Sequence, residues 1–193
     1  MTTRITGGTH RGRRLRVPKG TGLRPTTERL RGAIFSVLGA GAVEGERVLD
    51  LFAGTGALGI EALSRGASGA DFVEANGRLA QQLQKNLAGL GLADRCRVHR
   101  RTVARAIATL EGPYGLVFAD PPYGSVDLDV LMGSLNDVGL VRHGGLVVVE
   151  HRTTETMADA YGRLVRIHDR RYGDTSVCIY SSGGPVDEGD LPR

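Results

Sequence analysis

Cysteine is almost missing from this chain: among 193 residues only Cys96 and Cys178 occur. Two isolated cysteines build neither a disulfide framework nor a C-x-x-C metal or redox pattern, and both read as free cytosolic thiols. Long apolar runs are missing too. None approaches the roughly 20 residues that a membrane helix requires, and the basic start lacks the apolar stretch of a signal peptide. A cytoplasmic protein without membrane contact is expected. His10, His99, His143, His151 and His168 lack any ligand spacing, so no metal site is expected. No internal repeat is evident, and with nothing to suggest an obligate dimer a monomer is expected.

Glycine, by contrast, is abundant. Its 29 residues suit an α/β fold with many short connections, and the length suits one domain with a substantial core. The net charge of +4 is unevenly spread. Residues 1–31 hold nine basic side chains (Arg4, Arg11, Arg13, Arg14, Arg16, Lys19, Arg24, Arg29, Arg31) against one acid, Glu28, which leaves the rest of the chain net acidic. A cationic arm on an acidic body favours a polyanion, because neutralising phosphates releases counterions.

The arm reads as a loop or small hairpin around Leu15 and Val17, followed by a helix to Leu38 that Thr26 and Thr27 can cap. Gly32 lies inside that helix, and since glycine costs a helix interior roughly 1 kcal/mol the helix is expected to start late or fray. Beyond Arg47 apolar runs alternate with helical patterns, as a parallel sheet with crossover helices requires. The runs are Val48 to Phe52, Phe72 to Glu74, a short strand at Val98, Leu116 to Ala119 and Leu146 to Val149. Leu79, Leu83, Leu87 and Leu90 mark one helix face. Arg163 to Tyr172 and Thr175 to Tyr180 straddle Gly173-Asp174 as a terminal antiparallel hairpin. Glu150, ending its run, reads as a structural cap.

Gly54-Thr55-Gly56-Ala57-Leu58-Gly59 spells G-x-G-x-x-G after a strand and before a helix, with the acid Glu74 ending the next strand. Glycines admit a ligand close to the backbone, and the acid accepts hydrogen bonds from ribose hydroxyls. Neither task requires a pyrophosphate. Asp50 would repel a pyrophosphate but can pair with the ammonium of a methionine. S-adenosylmethionine is therefore favoured over a nicotinamide dinucleotide.

Asp120-Pro121-Pro122-Tyr123 follows the fourth strand, at the sheet edge where α/β folds bind ligands. Two prolines fix two φ angles and remove two donors, which leaves carbonyls facing outward. An exocyclic base amine is a poor nucleophile because its lone pair is delocalised into the ring. The Asp120 carboxylate and the Pro121 carbonyl, accepting its N–H bonds, would favour a pyramidal nitrogen and stabilise the charge that develops on transfer. Tyr123 would stack on the base. No metal is required, since a sulfonium is already a good leaving group.

With these residues the chain resembles the RsmD family of bacterial methyltransferases, which modify a guanine at N2 in small-subunit (16S) ribosomal RNA. The likeness runs through RITGGTHRGRRL (4–15), RPTTERLRGAIFSVL (24–38), VLDLFAGTGALGIEALSRG (48–66), Phe72 to Glu74, Asp120 to Tyr123 and YGDT (172–175). It implies a Rossmann-like class I methyltransferase: an α/β fold with a seven-stranded, mostly parallel sheet, a C-terminal antiparallel hairpin and a small basic N-terminal extension. Residues 1–38 would be the RNA-binding extension and helix, 39–181 the core and 182–193 a disordered tail.

By the same resemblance, Asp50, Phe52, Ala53, Gly54, Thr55 and Gly56 would hold the methionine part, Glu74 the ribose, and the Thr102 and Val103 backbone the adenine edge, with Ala75 also in the cofactor site. Arg24, Pro25 and Thr26 would help close the pocket. Arg4, Arg11, Arg13, Arg14 and Arg16 would grip rRNA in an assembled or partly assembled small subunit. The chain departs from many methyltransferases in having no acid between His99 and Val103 for the adenine amine. The competing readings are a DNA adenine-N6 methyltransferase, a nicotinamide-dependent oxidoreductase and a non-catalytic RNA-binding module.

Overall fold

The computed structural model describes residues 2–18 and 27–183. Its main sheet contains β3 (Arg47–Leu51), β4 (Gly69–Val73), β5 (Cys96–His99), β6 (Tyr114–Ala119), β7 (Val141–Arg152), β8 (Ala160–Tyr161), β9 (Leu164–Tyr172) and β10 (Thr175–Ser182), in the order β5-β4-β3-β6-β7-β10-β9-β8. The first five pair in parallel. Strand β10 is antiparallel to β7 and β9, and β8 is antiparallel to β9.

The expected seven strands are thus eight. The additional one, β8, is two residues long and carries no alternation a sequence reading can detect. It is held from outside: the Tyr180 hydroxyl donates to the Ala158 carbonyl at 2.7 Å, and the Tyr161 and Tyr180 rings meet at 5.6 Å. Two boundaries also move. Strand β7 runs past Glu150 to Arg152, and Ser182, expected in a disordered tail, is the last residue of β10 and is buried. Residues 184–193 of that tail lie outside the described residues.

Helices cover both sheet faces. Helices α1 (Glu28–Leu38), α2 (Ala57–Ser64) and α3 (Gly77–Leu90) share one core with Val48, Phe72, Phe118 and Val148, while α4 (Val103–Ile107) and α5 (Leu128–Val138) share the other with Leu49, Leu51, Val117 and Val149. All six residues of β6 are buried, as a strand covered on both faces requires. Thr27 caps α1 by accepting the Leu30 N–H at 3.1 Å. The helix crosses Gly32 without the late start or fraying expected of it, because Leu30, Ile34, Phe35 and Leu38 anchor it to the core. Among the described residues no helix is long and apolar enough to cross a membrane.

The arm forms a short antiparallel pair, β1 (Thr2–Arg4) with β2 (Arg14–Arg16), that buries Ile5 and Leu15 against α1–α3. A buried polar cluster fastens it. Arg31, with no exposed surface, donates to the Arg4 carbonyl and to Thr3 Oγ1, and its Nε lies 3.7 Å from Glu61. Glu61 in turn accepts the Thr6 N–H at 2.8 Å and the Thr6 hydroxyl at 2.7 Å.

Candidate active site

The carboxyl ends of β3, β4, β6 and β7 open into one cleft of about 1720 Å³. Its floor begins where β3 stops. Phe52 takes φ +59°, a left-handed conformation that a bulky residue seldom adopts and that tends to mark functional sites. Gly54 at φ +56° and Gly56 at +82° then turn the chain into α2. A Cβ on Gly56 would lie 2.3 Å from Leu83 Cδ1, so the close packing of this turn on α3 requires glycine there.

Two carboxylates brace the turn. Glu74, just past β4, accepts the Gly54 N–H at 2.8 Å and the Asn76 N–H at 2.7 Å. Asp50 lies buried beneath and accepts the Gly59 N–H at 2.8 Å. Burial pushes the Asp50 carboxyl up to about 7; the Gly59 donor opposes that rise, and the neighbouring Asp120 and Glu74 carboxylates add to it. Such a group gains much from a cation brought beside it. The Thr55 hydroxyl is buried without a hydrogen-bond partner. A tight glycine cradle, a buried acid awaiting a cation and an unmatched hydroxyl fit the aminocarboxylate end of a methionine-like ligand.

Asp120, Pro121, Pro122 and Tyr123 line the same cleft, together with Asp50, Phe52, Ala53, Gly54, Thr55, Glu74, Ala75, Thr102 and Val103. Gly56 sits at the head of α2, and Thr102 at the head of α4. The Pro122 carbonyl departs from the expected outward acceptor: it takes the Ser125 N–H at 3.1 Å and closes a turn, so of the two prolines only Pro121 keeps its carbonyl out of that turn. Tyr123 is 40% exposed. Its hydroxyl lies 2.6 Å from Thr175 Oγ1, and the Arg152 guanidinium lies over its ring at 4.9 Å.

Arg24, Pro25 and Thr26 lie outside the described residues. Arg4, Arg11, Arg13, Arg14 and Arg16 are exposed but do not line the cleft. The sequence reading missed several residues that do: Glu150 on β7, Arg29 on α1, Arg170 and Tyr172 on β9, and Asp174 and Thr175 at the hairpin. The YGDT stretch at 172–175 was a usable signal for the last group. Glu150, placed mid-strand beside the Asp120 loop, had none.

Comparison with known proteins shows relatives of the whole fold. The family model described as conserved hypothetical protein 95 matches residues 3–181. Ribosomal RNA small subunit methyltransferase D of Escherichia coli (strain K12) is 44% identical over 147 residues, 76% of this chain and 73% of the relative. The rRNA methyltransferase candidate YlbH of Bacillus subtilis (strain 168) is 36% identical over 184 residues, 94% of this chain and 100% of its own. The solved structure of the methyltransferase candidate yhhF from Escherichia coli superposes with a TM-score of 0.86 at 33% identity, covering 96% of this chain and 100% of that one. On the family match, the level of identity and the shared fold, the chain belongs to the RsmD family.

Proposed function

We propose that this protein is a cytoplasmic, monomeric S-adenosylmethionine-dependent methyltransferase that modifies the N2 amine of a guanine in 16S ribosomal RNA, within an assembled or partly assembled small subunit. The reading is carried by one observation: the Asp50 and Glu74 carboxylates and the Asp120-to-Tyr123 loop open into a single cleft at the carboxyl edge of the sheet. The names of the relatives, ribosomal RNA small subunit methyltransferase D above all, support the substrate.

When bound, S-adenosylmethionine supplies an electrophilic sulfonium methyl group. Asp50 pairs with the ammonium of its methionine end, and the glycine turn admits that end against the backbone. Glu74 receives the ribose hydroxyls on lone pairs that its two backbone donors leave open. The Thr102 and Val103 backbone meets the adenine edge. The Asp120 carboxylate and the Pro121 carbonyl accept the two N–H bonds of the base amine, hold its lone pair toward the cofactor and stabilise the charge that grows on nitrogen. Tyr123 stacks on the base at the mouth. A nicotinamide dinucleotide fits less well, because its pyrophosphate would meet the Asp50 carboxylate.

The decisive experiment offers labelled S-adenosylmethionine with small subunits, naked rRNA and DNA in parallel, followed by nucleoside analysis. N2-methylguanosine from small subunits is expected, and label in DNA alone would reject the proposal in favour of adenine-N6 chemistry. Asp120→Ala should abolish transfer while the cofactor still binds.

A further inference from the structure

The turn of the basic arm stands at the wrong edge of the sheet to hold the target base. Helices α2 and α3 start at the carboxyl edge of parallel strands and run back, so their last turns lie at the amino edge. The β1–β2 turn is tied to those last turns. The Thr9 N–H donates to the Ser64 carbonyl at 2.7 Å, Arg13 Nη2 donates to the Gly89 carbonyl at 3.0 Å, and His10 Nε2 lies 3.2 Å from the Leu90 carbonyl. Helix α3 has 14 residues. At 1.5 Å per residue, Arg11 and Arg13 therefore sit about 21 Å from the catalytic edge.

A different set of arginines surrounds the mouth. Arg29, on the first turn of α1, and Arg170 and Arg171, on β9, are exposed and line the cleft. Arg152, exposed at the end of β7, lies over Tyr123 at 4.9 Å, and Arg170 lies over Tyr172 at 5.7 Å. Two arginine–tyrosine stacks thus flank the opening, and both tyrosines line it. Acids line the cleft as well: Asp50, Glu74 and Glu150 are buried within it, Asp120 lies in its catalytic loop, Asp127 caps α5 by accepting the Asp129 and Val130 N–H groups, and Asp174 sits at the hairpin turn. The four arginines are exposed. Interleaved cations and aromatic rings suit a strand of nucleic acid, with guanidinium on phosphate and ring on base.

We propose that Arg29, Arg152, Arg170 and Arg171 form the surface that seats the RNA phosphates flanking the target base, while the β1–β2 turn touches a separate stretch of the same RNA. The inference rests on the RNA reading of the cleft. Phosphate contacts fix register and orientation rather than sequence, so this surface sets which nucleotide reaches Asp120. A substrate touching both regions must span about 21 Å.

The test measures binding of 16S rRNA against salt for the parent, Arg170→Ala/Arg171→Ala, Arg29→Ala/Arg170→Ala and Arg11→Ala/Arg13→Ala. The second pair guards against disturbance of the hairpin, where Arg171 Nε donates to the Gly173 carbonyl. Calorimetry with S-adenosylmethionine and a thermal melt check each variant. Each rim pair should keep cofactor affinity and melting temperature, and should flatten the slope of log K against log salt by roughly 1.5, the value for two lost phosphate contacts. The rim pairs, but not the arm pair, should also lose binding to a short RNA carrying the target site. An unchanged slope in both rim pairs would overturn the surface. Failure of the parent to bind RNA at any salt would instead overturn the reading beneath it, and the two failures are distinguishable.

Discussion

The Glu74 carboxylate accepts the Gly54 N–H at 2.8 Å, so the acid just past β4 also holds the glycine turn that follows β3. Its second oxygen takes the Asn76 N–H at 2.7 Å. In Glu74→Gln one of these acceptors becomes an NH2 group facing another N–H, a mismatch worth about 1–3 kcal/mol for a buried site. Affinity for S-adenosylmethionine should fall at least about tenfold by calorimetry. Unchanged affinity would remove Glu74 from the cofactor site.

Asp50 should make the protein respond to pH. Its folded pKa, raised by burial to about 7, exceeds its unfolded value, so between pH 4 and 7 the folded state holds a proton that the unfolded state has lost. Stability without cofactor should therefore fall as pH rises through that window, and Asp50→Asn should flatten the fall. Cofactor binding should run the other way, because only the carboxylate pairs with an ammonium. Affinity at pH 6 should be about tenfold below that at pH 8, and the dependence should vanish in Asp50→Asn. Titration calorimetry across pH, with thermal melts, checks both signs.

Arg31 and Glu61 are expected to be a weak point of the fold. Burial lowers the Arg31 pKa, against the pull of Glu61. Removing Arg31 leaves Glu61 its second cation, Arg65 at 2.9 Å, but takes the donor from the Arg4 carbonyl and the Thr3 hydroxyl, a loss of about 1–3 kcal/mol for an unmatched buried polar group. Arg31→Ala should lower stability by that order in urea and, through the lost Arg4 and Thr3 contacts, expose the arm to proteolysis before the core. A melt like the parent's would show that the cluster contributes little.

Gly32 offers the opposite case. A Cβ there would meet nothing within 4 Å, and its backbone is ordinary helix. Gly32→Ala should raise stability by about 1 kcal/mol with no change in cofactor affinity, as read from denaturant midpoints.

Much of the fold could be read in advance because its signals are local. The apolar run through Leu116–Ala119, the leucine stripe along α3 and the hairpin around Gly173-Asp174 each occupy a few consecutive residues with a period of their own. The glycine turn and the Asp120–Tyr123 loop were visible for the same reason, since each follows its strand directly. Strand β8 was not, because two residues have no period. Glu150 was not either, because its run of apolar neighbours hides which face it points to until β6 and β10 flank it.

By itself the sequence determined that strands alternate with helices, that a glycine turn and an Asp-Pro-Pro-Tyr loop close two of them, and that cationic residues gather at the start. Only the tertiary structure decided that Arg11 and Arg13 stand at the far edge while Arg29, Arg152, Arg170 and Arg171 ring the mouth. Strand order and helix direction make that choice. They arise from burying a whole sheet at once, and no short stretch of residues encodes where distant side chains meet.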